Sequence, residues 1–467
     1  MAGVPAFLWG GEQTLSDLGD GHSQVTVSGT TEAMFQNYLE VLEEAGFAEY
    51  ATNSITNTDG DADLVNRFAT YTKTEGTDQI MVHVYFTESS GDTRVIAAKN
   101  VNLPSTTIPT YTKVTDAVYV ALADLDEDGT LADEVSLENP AYTESSGSLA
   151  GIVRLEDGSF LVYDGGNSYS VNAEMIYQTL KSLAASDSDP NNDNNIVIRA
   201  WILSHHHADH VGGFYQFAVR YNRGDYGNDI NVTLESVIYN IVDTEEQTEF
   251  LSAAESEFHR IYVGIGLETN DSGQTGFAGV PVYKALTGQV FHFPGMDMEI
   301  LSTMTDFVPT VIGYENQLAQ DAVAKGEKGD GNTMSMVVRL KPTNGSGKTV
   351  MLTGDATAIL LDKMCERFGT EYLTSYIVTM PHHGITGDTY RRHNATAFLY
   401  ETVAPTYALL PQASRVRLAA QGSLSNQINV DLMNTIGADH ILDAASVHMI
   451  DLSTGAVTST PWDEYNT

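Results

Sequence analysis

Four histidines and one aspartate lie within six consecutive residues of the stretch LSHHHADHVGG, at positions 203–213. The whole chain has only 13 histidines in 467 residues, so this cluster suggests a metal site. His205 and His207 leave the end of a predicted strand on the same side, so both can reach one ion. Asp209 and His210 follow on the next turn and can reach a second ion. Imidazole and carboxylate ligands without thiolate suit Zn²⁺, and also Mn²⁺ or Fe.

Four ligands do not complete two metal sites, so further ligands are expected downstream. The segment GKTVMLTGDA predicts a strand that ends at Asp355, whose carboxylate could bridge two ions. The segment SYIVTMPHHGITGD predicts another strand that ends in His382 and His383. Either of these histidines could be the last ligand of the second ion. Both segments repeat one pattern, an apolar strand followed by a ligand.

The elements before the cluster predict how it is positioned. The run IVIRAWIL is typical of a strand buried on both faces. Two strands joined at Asp157 and Gly158 precede it, followed by a helix over roughly 171–184. This order predicts a layered α/β domain over residues 147–467, with its chemistry where strands end. We expect Gly212 and Gly213 to let the backbone turn tightly into the next helix.

Residues 1–140 are predicted to form a small α+β domain and an acidic linker. Helical spacing in residues 31–46 and about four strand-like runs support this interpretation. The linker contains the pattern D-x-D-x-D-G at Asp124, Asp126 and Asp128, which resembles the opening of an EF-hand calcium loop. The closing acid is missing, because position twelve is Val135. A calcium site and a solvated loop are both kept as interpretations.

Composition limits the classes of partner. The chain has 23 Lys+Arg against 62 Asp+Glu, a net charge of −39, which disfavours long nucleic acids and anionic membranes as partners. No apolar run is long enough to span a bilayer. The single cysteine, Cys365, excludes an internal disulfide framework. We expect a cytoplasmic protein, or a secreted one if a signal peptide had been removed; the oligomeric state is left open.

Asp164 in VYDGG, the H-x-H-x-D-H cluster, TGD and HHG resemble the metallo-β-lactamase superfamily, over about residues 147–460. The branches of competence DNA-uptake proteins and phosphorylcholine esterases are the most similar. The resemblance implies an αββα sandwich, here preceded by the small α+β domain. It also implies a binuclear centre with two divalent ions, most simply Zn, and a metal-bound hydroxide as the nucleophile.

The resemblance also implies roles for individual residues. His205 and His207 would bind the first ion, and Asp355 would bridge both ions. Asp164 would orient a ligand histidine. Asp209 and His210 would bind the second ion and act in catalysis. His382 or His383 would be the remaining ligand of that ion.

One feature departs from many members of the superfamily, which have a third histidine on the first ion. Only His259 and His292 lie in the expected interval, and a structural role is the better interpretation of both. Asn332 and Ser335 stand before the strand of Asp355, as a weak ligand or a substrate contact. Further candidates for substrate contacts are Tyr314, Arg391 and Arg392.

The sequence therefore predicts a metal-dependent hydrolase acting on a small molecule, with a phosphoester or phosphodiester favoured. A lactonase, a thioesterase or a β-lactam-type hydrolase is the alternative among enzymes, since fold does not determine substrate. A non-catalytic metal-binding module is the alternative from another class. No membrane association is expected.

Overall fold

The computed structural model of this chain describes residues 3–19, 21–101, 103, 110–131, 149–185, 195–227, 231–241, 255–303, 305–306, 332, 335–384, 396–413 and 424–465. Tyr314, Arg391 and Arg392 lie outside these residues. Within the described ranges, no helix combines the length and the apolar character that crossing a membrane requires.

The N-terminal region forms an antiparallel sheet, which within the described residues has six strands in the order β1-β2-β6-β5-β4-β3. This is two strands more than the sequence predicted, because the mostly polar β1 and β2 lack a clear apolar pattern. The helix α1 buries Phe35, Tyr38 and Leu42 against the sheet. The elements are β1 (Gln13–Gly19), β2 (His22–Val27), α1 (Glu32–Glu44), β3 (Ala48–Asn57), β4 (Leu64–Glu75), β5 (Asp78–Thr87) and β6 (Asp92–Lys99).

A second sheet has the order β13-β12-β10-β9-β8-β7-β21-β22, with β11 also paired to β10, nine strands in the described part of the chain. Its strands are β7 (Val118–Ala121), β8 (Ala150–Arg154), β9 (Phe160–Asp164), β10 (Asn195–Leu203), β11 (Asn231–Leu234), β12 (Val237–Tyr239), β13 (Val282–Lys284), β21 (Ser446–Asp451) and β22 (Val457–Pro461). β7 precedes the predicted boundary at residue 147 but lies between β8 and β21. We therefore propose that the second domain begins before residue 118.

A third sheet has the order β14-β15-β16-β17-β18-β19-β20, seven strands among the residues described. Its strands are β14 (Val290–Phe293), β15 (Met296–Ser302), β16 (Val337–Pro342), β17 (Val350–Leu352), β18 (Ile377–Thr379), β19 (Tyr407–Leu410) and β20 (Ile441–Asp443). Side chains from the second and third sheets share one buried core; Tyr163 and Ile202 belong to it, together with Met298, Val338 and Leu352. The two sheets therefore pack face to face, as a mixed α/β architecture consistent with the predicted fold.

Helices cover the outer faces of these two sheets. They are α2 (Ser170–Ala185), α3 (Ala208–Arg223), α4 (Glu255–Gly264), α5 (Ala358–Leu373), α6 (Ala397–Val403), α7 (Leu424–Ile436) and α8 (Trp462–Tyr465). On β10, Trp201 packs against Phe214 and Phe217 of α3, with ring centroids 5.0 and 5.1 Å apart. In α5, Met364 and Phe368 are buried in the same large apolar cluster.

The two glycines after the histidine cluster have a different role from the one predicted. Gly212 and Gly213 do not form a turn before the helix, because both lie inside α3. A Cβ atom on Gly213 would lie 1.8 Å from the carbonyl oxygen of Gly165, and one on Gly212 would lie 2.3 Å from the backbone nitrogen of Ser168. The glycines therefore let α3 approach the loop that follows β9.

The N-terminal sheet packs directly on the rest of the chain. Asp306 is 6% exposed and pairs with Arg94 of β6 at 2.8 Å and with Arg367 of α5, while Tyr85 of β5 donates to the same carboxylate. Burial alone would raise the pKa of Asp306, but Arg367 and Arg94 outweigh it and lower the pKa to about 2. Burial also lowers the pKa of His83, which contacts the backbone oxygen of Thr287 at 3.0 Å, to about 4. Buried polar contacts therefore connect the two regions.

Parallel strand pairing brings the candidate site together. In the second sheet, β9 and β10 run parallel and end at Asp164 and at the histidine cluster. In the third sheet, β17, β18 and β19 are parallel. They lead into Asp355, into the His382–His383 pair and into Pro411. Parallel strands place their carboxyl ends along one edge of a sheet, and that edge is where polar side chains gather.

Candidate metal centre

Two groups of potential metal ligands share one carboxylate. One group contains Asp209, His210, Asp355 and His383, and the other contains His205, His207 and again Asp355. Within each group, the candidate ligand atoms all lie within 4.8 Å of one another. The two groups of candidate ligands therefore meet at the Asp355 carboxylate.

The two oxygens of Asp355 face different histidines. Oδ1 lies 3.0 Å from Nε2 of His210 and 3.6 Å from Nε2 of His383. Oδ2 lies 3.7 Å from Nε2 of His205 and 3.6 Å from Nε2 of His382. Asp355 is only 1% exposed, and its backbone nitrogen donates to Oγ of Ser335 at 3.0 Å. Its carboxylate is therefore held between the two ligand groups.

Close backbone packing holds the strand ends beside each other. Gly354, immediately before Asp355, has φ of +53°, and a Cβ atom there would lie 2.9 Å from Cβ of Ser204. The nitrogen of Met336 donates to the carbonyl of Ser204 at 2.8 Å, which connects the third sheet to the second. The nitrogen of His382 donates to the carbonyl of Gly354 at 3.1 Å. A larger residue at position 354 would separate the two ligand groups.

Asp164 anchors the second sheet's side of the site. Its carboxylate is fully buried and lies 2.8 Å from Nδ1 of His210. Ser204 donates to the same carboxylate from its backbone nitrogen and from Oγ, each at 2.7 Å. Asp164 has φ of +52°, an unusual backbone conformation for a residue other than glycine. Such strain is concentrated at functional sites, where the surrounding structure maintains it.

The His382–His383 pair lies on a strained turn. Their φ angles are +49° and +56°, a left-handed conformation that costs about 1–2 kcal/mol per residue. Nδ1 of His383 donates to the carbonyl oxygen of Pro411 at 3.1 Å, because a carbonyl only accepts. Nε2 of His383 then faces Oδ2 of Asp209 at 3.1 Å. Gln412 donates to the carbonyl of His383 and holds the turn.

The neighbouring histidine has a different environment. His382 is 20% exposed, against 2% for His383, and it belongs to neither ligand group of the described residues. Its Nε2 lies 3.2 Å from Nδ2 of Asn332, which is buried. The structure thus brings Asn332 and Ser335 to the site, the former against His382 and the latter against the backbone of Asp355.

The electrostatics of the site are those of a cation site. Burial lowers the pKa of His205 well below its usual value, and His210 and His207 lower it further. Burial would also lower the pKa of His210, but the carboxylates of Asp355, Asp209 and Asp164 outweigh it and raise the pKa well above its usual value. Imidazole and carboxylate groups together form a donor set that divalent ions bind, and a bound ion would take the place of protons on the ligand histidines.

A buried acceptor supports the same conclusion. Within the described part of the chain, Oδ1 of Asp355 is buried, and the nitrogens that face it at 3.0 and 3.6 Å belong to His210 and His383, which as metal ligands through Nε2 would have no proton to donate. A buried carboxylate oxygen without a donor is costly unless a cation compensates it. The residues present therefore fit divalent metal ions. Asp209, 24% exposed, and His382 mark the more open side of the site.

The other sequence candidates do not join these groups. Among the described residues, Asp124, Asp126 and Asp128 form no ligand group with one another; Asp128 accepts hydrogen bonds from Thr130 instead, at 2.7 and 3.0 Å. This part of the acidic loop therefore does not support the calcium interpretation.

The remaining histidines of the predicted intervals have structural contacts. His259 pairs with Glu268 and His292 with Asp297, at 2.5 and 2.7 Å. His206 is 1% exposed, and its ring stacks on Phe258 with centroids 4.8 Å apart.

Sequence reasoning missed Ser204, Pro411 and Gln412. Ser204 directly precedes His205, and the other two follow the end of β19. All three stand at the carboxyl ends of parallel strands, β10 in the second sheet and β19 in the third, and this position is the signal that could have identified them.

The two adjacent histidines provide a matched pair of variants. We expect His383→Ala to lose about one ion per chain, because it removes a buried group that faces Asp209 and Asp355. His382→Ala should retain the metal content of the unmodified chain. Both residues have left-handed φ angles, so the backbone consequences of the two changes are similar. Elemental analysis of gel-filtered protein measures the difference, and greater loss in His382→Ala contradicts the assignment.

A comparison with models of known protein families covers the part of the site that contains Asp164 and the histidine cluster. Residues 145–231 match the family model described as Metallo-beta-lactamase superfamily. A search of curated proteins found no match. Among solved structures, a metallo-β-lactamase HARLDQ-motif mutant from Cronobacter sakazakii is 13% identical, with 55% of this chain and 84% of that chain covered and a TM-score of 0.26. The segment with Asp164 and the histidine cluster is thus similar to the metallo-β-lactamase superfamily.

Proposed function

We propose that this chain is a binuclear metal-dependent hydrolase of a small ester, with a phosphomonoester or phosphodiester as the favoured substrate. The observation that carries the proposal is the pair of ligand groups sharing Asp355. The first ion would be held by His205, His207 and Asp355, and the second by Asp209, His210, His383 and the same Asp355. Zn²⁺ suits these ligands, with Mn²⁺ or Fe as alternatives.

Two bound divalent ions would supply an ionised water near neutral pH and positive charge for the oxygens of the substrate. The chain's own residues prepare for this chemistry. Asp164 and the carbonyl of Pro411 each bind Nδ1 of a histidine, so Nε2 of His210 and of His383 faces the ligand group. Buried strands exclude water from the far side of the site, and Asp209 lies at its accessible side.

The substrate class rests on charge and on sequence. Asp209 and Asp355 make the metal-free site acidic, so an anionic ester would bind only after cations have compensated both carboxylates. Arg391 and Arg392 follow the HHG segment and are proposed to contact a phosphate group. The likeness of TGD and HHG to the competence-protein and phosphorylcholine-esterase branches is part of the same proposal.

The test combines metal analysis with a substrate screen. We expect about two ions per chain, hydrolysis of a phosphomonoester or phosphodiester, and reversible loss of activity on chelation. The panel should also contain a lactone, a thioester and a β-lactam, and turnover of only one of these would assign the alternative substrate class. Turnover that persists in protein shown to be metal-free contradicts a metal-dependent hydrolase. Fewer than one ion per chain together with no turnover would indicate a non-catalytic module.

A further inference from the structure

Ser204 lies between one buried carboxylate and histidines of both ligand groups. The residue is 0% exposed. Its Oγ lies 2.7 Å from Oδ2 of Asp164, 3.0 Å from Nδ1 of His205 and 3.4 Å from Nδ1 of His210. His210 itself reaches Oδ2 of Asp164 through Nδ1 at 2.8 Å. One hydroxyl thus contacts a histidine from each group and the aspartate behind them.

The directions of these hydrogen bonds follow from the chemistry of the groups. An ionised carboxylate only accepts, so both Ser204 and His210 donate to Asp164. A serine hydroxyl has one hydrogen, and Ser204 uses it on Asp164. Oγ of Ser204 is consequently an acceptor toward His205, so Nδ1 of His205 carries a proton. The opposite direction would leave two oxygens 2.7 Å apart without a proton between them.

The consequence is that the histidines of both ligand groups have the same orientation. In a ring that keeps its proton on Nδ1, Nε2 is the atom whose lone pair can bind an ion, and this holds for His205 and His210 alike. These are the atoms that face Oδ2 and Oδ1 of Asp355, at 3.7 and 3.0 Å. Asp164 acts on His210 directly and on His205 only through Ser204. Through the Ser204 hydroxyl, the Asp164 carboxylate therefore orients a histidine of the first ligand group as well as one of the second.

We propose that Ser204 is a positioning residue that links the two ligand groups, because it donates a hydrogen bond to Asp164 and accepts one from Nδ1 of His205. The inference rests on the proposed function only in taking both groups to bind metal. It predicts different consequences for two changes. Ser204→Ala weakens the binding of the first ion, which His205 helps to hold, and leaves the affinity for the second ion almost unchanged. Asp164→Asn weakens the binding of both ions.

A titration of metal-free protein with Co²⁺ tests this difference. The visible absorbance of bound Co²⁺ and competition with a chelator report two successive affinities. We expect Ser204→Ala to weaken one affinity by about 10–100-fold, the usual effect of removing a partner of a ligand histidine. Ser236→Ala is the matched control, because Ser236 is also buried and donates to the carbonyl of Arg199 at 2.7 Å, away from the site. Equal affinities in Ser204→Ala and Ser236→Ala would overturn the inference.

A second measurement does not need metal. Long-range proton–nitrogen spectra of histidine-labelled, metal-free protein report which ring nitrogen is protonated. We expect the His205 proton on Nδ1 in the unmodified chain and a shift toward Nε2 in Ser204→Ala; a proton on Nε2 in the unmodified chain overturns the inference. A chain that binds two ions but shows no turnover contradicts the proposed function alone. A chain that binds fewer than two ions also contradicts the proposed function, and the spectra then still decide the role of Ser204.

Discussion

In the Asp355→Ala variant, we expect metal content to fall from about two ions per chain to less than one. Hydrolytic activity should fall by more than about 100-fold, the upper effect of removing groups that only support a ligand. Asp355 is 1% exposed, and both of its carboxylate oxygens face candidate ligand nitrogens within 3.7 Å. Its removal takes a ligand from each group and the negative charge between two cations, which then repel each other. Elemental analysis and turnover measure the two effects.

His206→Ala is the control from the same histidine run. His206 is in neither ligand group of the described residues, and its ring packs on Phe258. We expect this variant to retain its metal and to lose about 1–3 kcal/mol of unfolding free energy, since a buried ring is removed. This loss of stability is expected because the structure shows the ring to be buried. Comparable metal loss in Asp355→Ala and His206→Ala contradicts the bridging role.

Removing residues 1–140 should abolish soluble, folded protein. Every candidate metal ligand lies beyond residue 200, so the ligand list alone suggests that this truncation is harmless. The truncation, however, removes β7, which lies between β8 and β21, and leaves both neighbours without their partner. It also exposes the face of α5 where Phe368 packs on Phe68, with ring centroids 6.1 Å apart. Soluble yield and cooperative thermal unfolding measure the effect.

A shorter truncation and a point variant separate the two causes. A fragment of residues 110–467 keeps β7 but loses the N-terminal sheet, so we expect it to be less stable than the full chain. The fraction of this fragment that folds should still bind metal. In the full chain, Asp306→Ala leaves Arg94 and Arg367 buried without their carboxylate, which should cost about 3–5 kcal/mol. Its metal content should not change. Normal unfolding of the fragment 141–467 would show that the domain begins where the sequence suggested.

The sequence alone indicated most of the side chains that the structure brings together in the candidate site. Local patterns carry this information, because apolar runs predict buried strands. Potential metal ligands at the ends of such strands, at His205, Asp355 and the His382–His383 pair, then indicate a common site. The matching family model over residues 145–231 agrees with the superfamily that these motifs resemble. The buried strand before the cluster was predicted from eight consecutive residues, IVIRAWIL, which lie within β10.

Some elements could not be predicted from local patterns. β7 is four residues long, and its place between β8 and β21 depends on a partner more than 300 positions away. The glycines of α3 look like turn residues in the sequence, but their lack of a side chain serves a contact with Gly165 and Ser168. The distances that decide such features arise only when separate segments pack.

The tertiary structure also decided how neighbouring residues divide their roles. His382 and His383 are equivalent in sequence, yet the left-handed turn buries only the second against Asp209 and Pro411. Ser204 carries no motif of its own and gains its place because β9 ends beside β10, which brings Asp164 within 2.7 Å of its hydroxyl. The sequence determined which side chains could bind metal, through residue type and spacing. The packing of two sheets determined which ring nitrogens face the shared carboxylate, because orientation depends on hydrogen-bond partners that lie far apart along the chain.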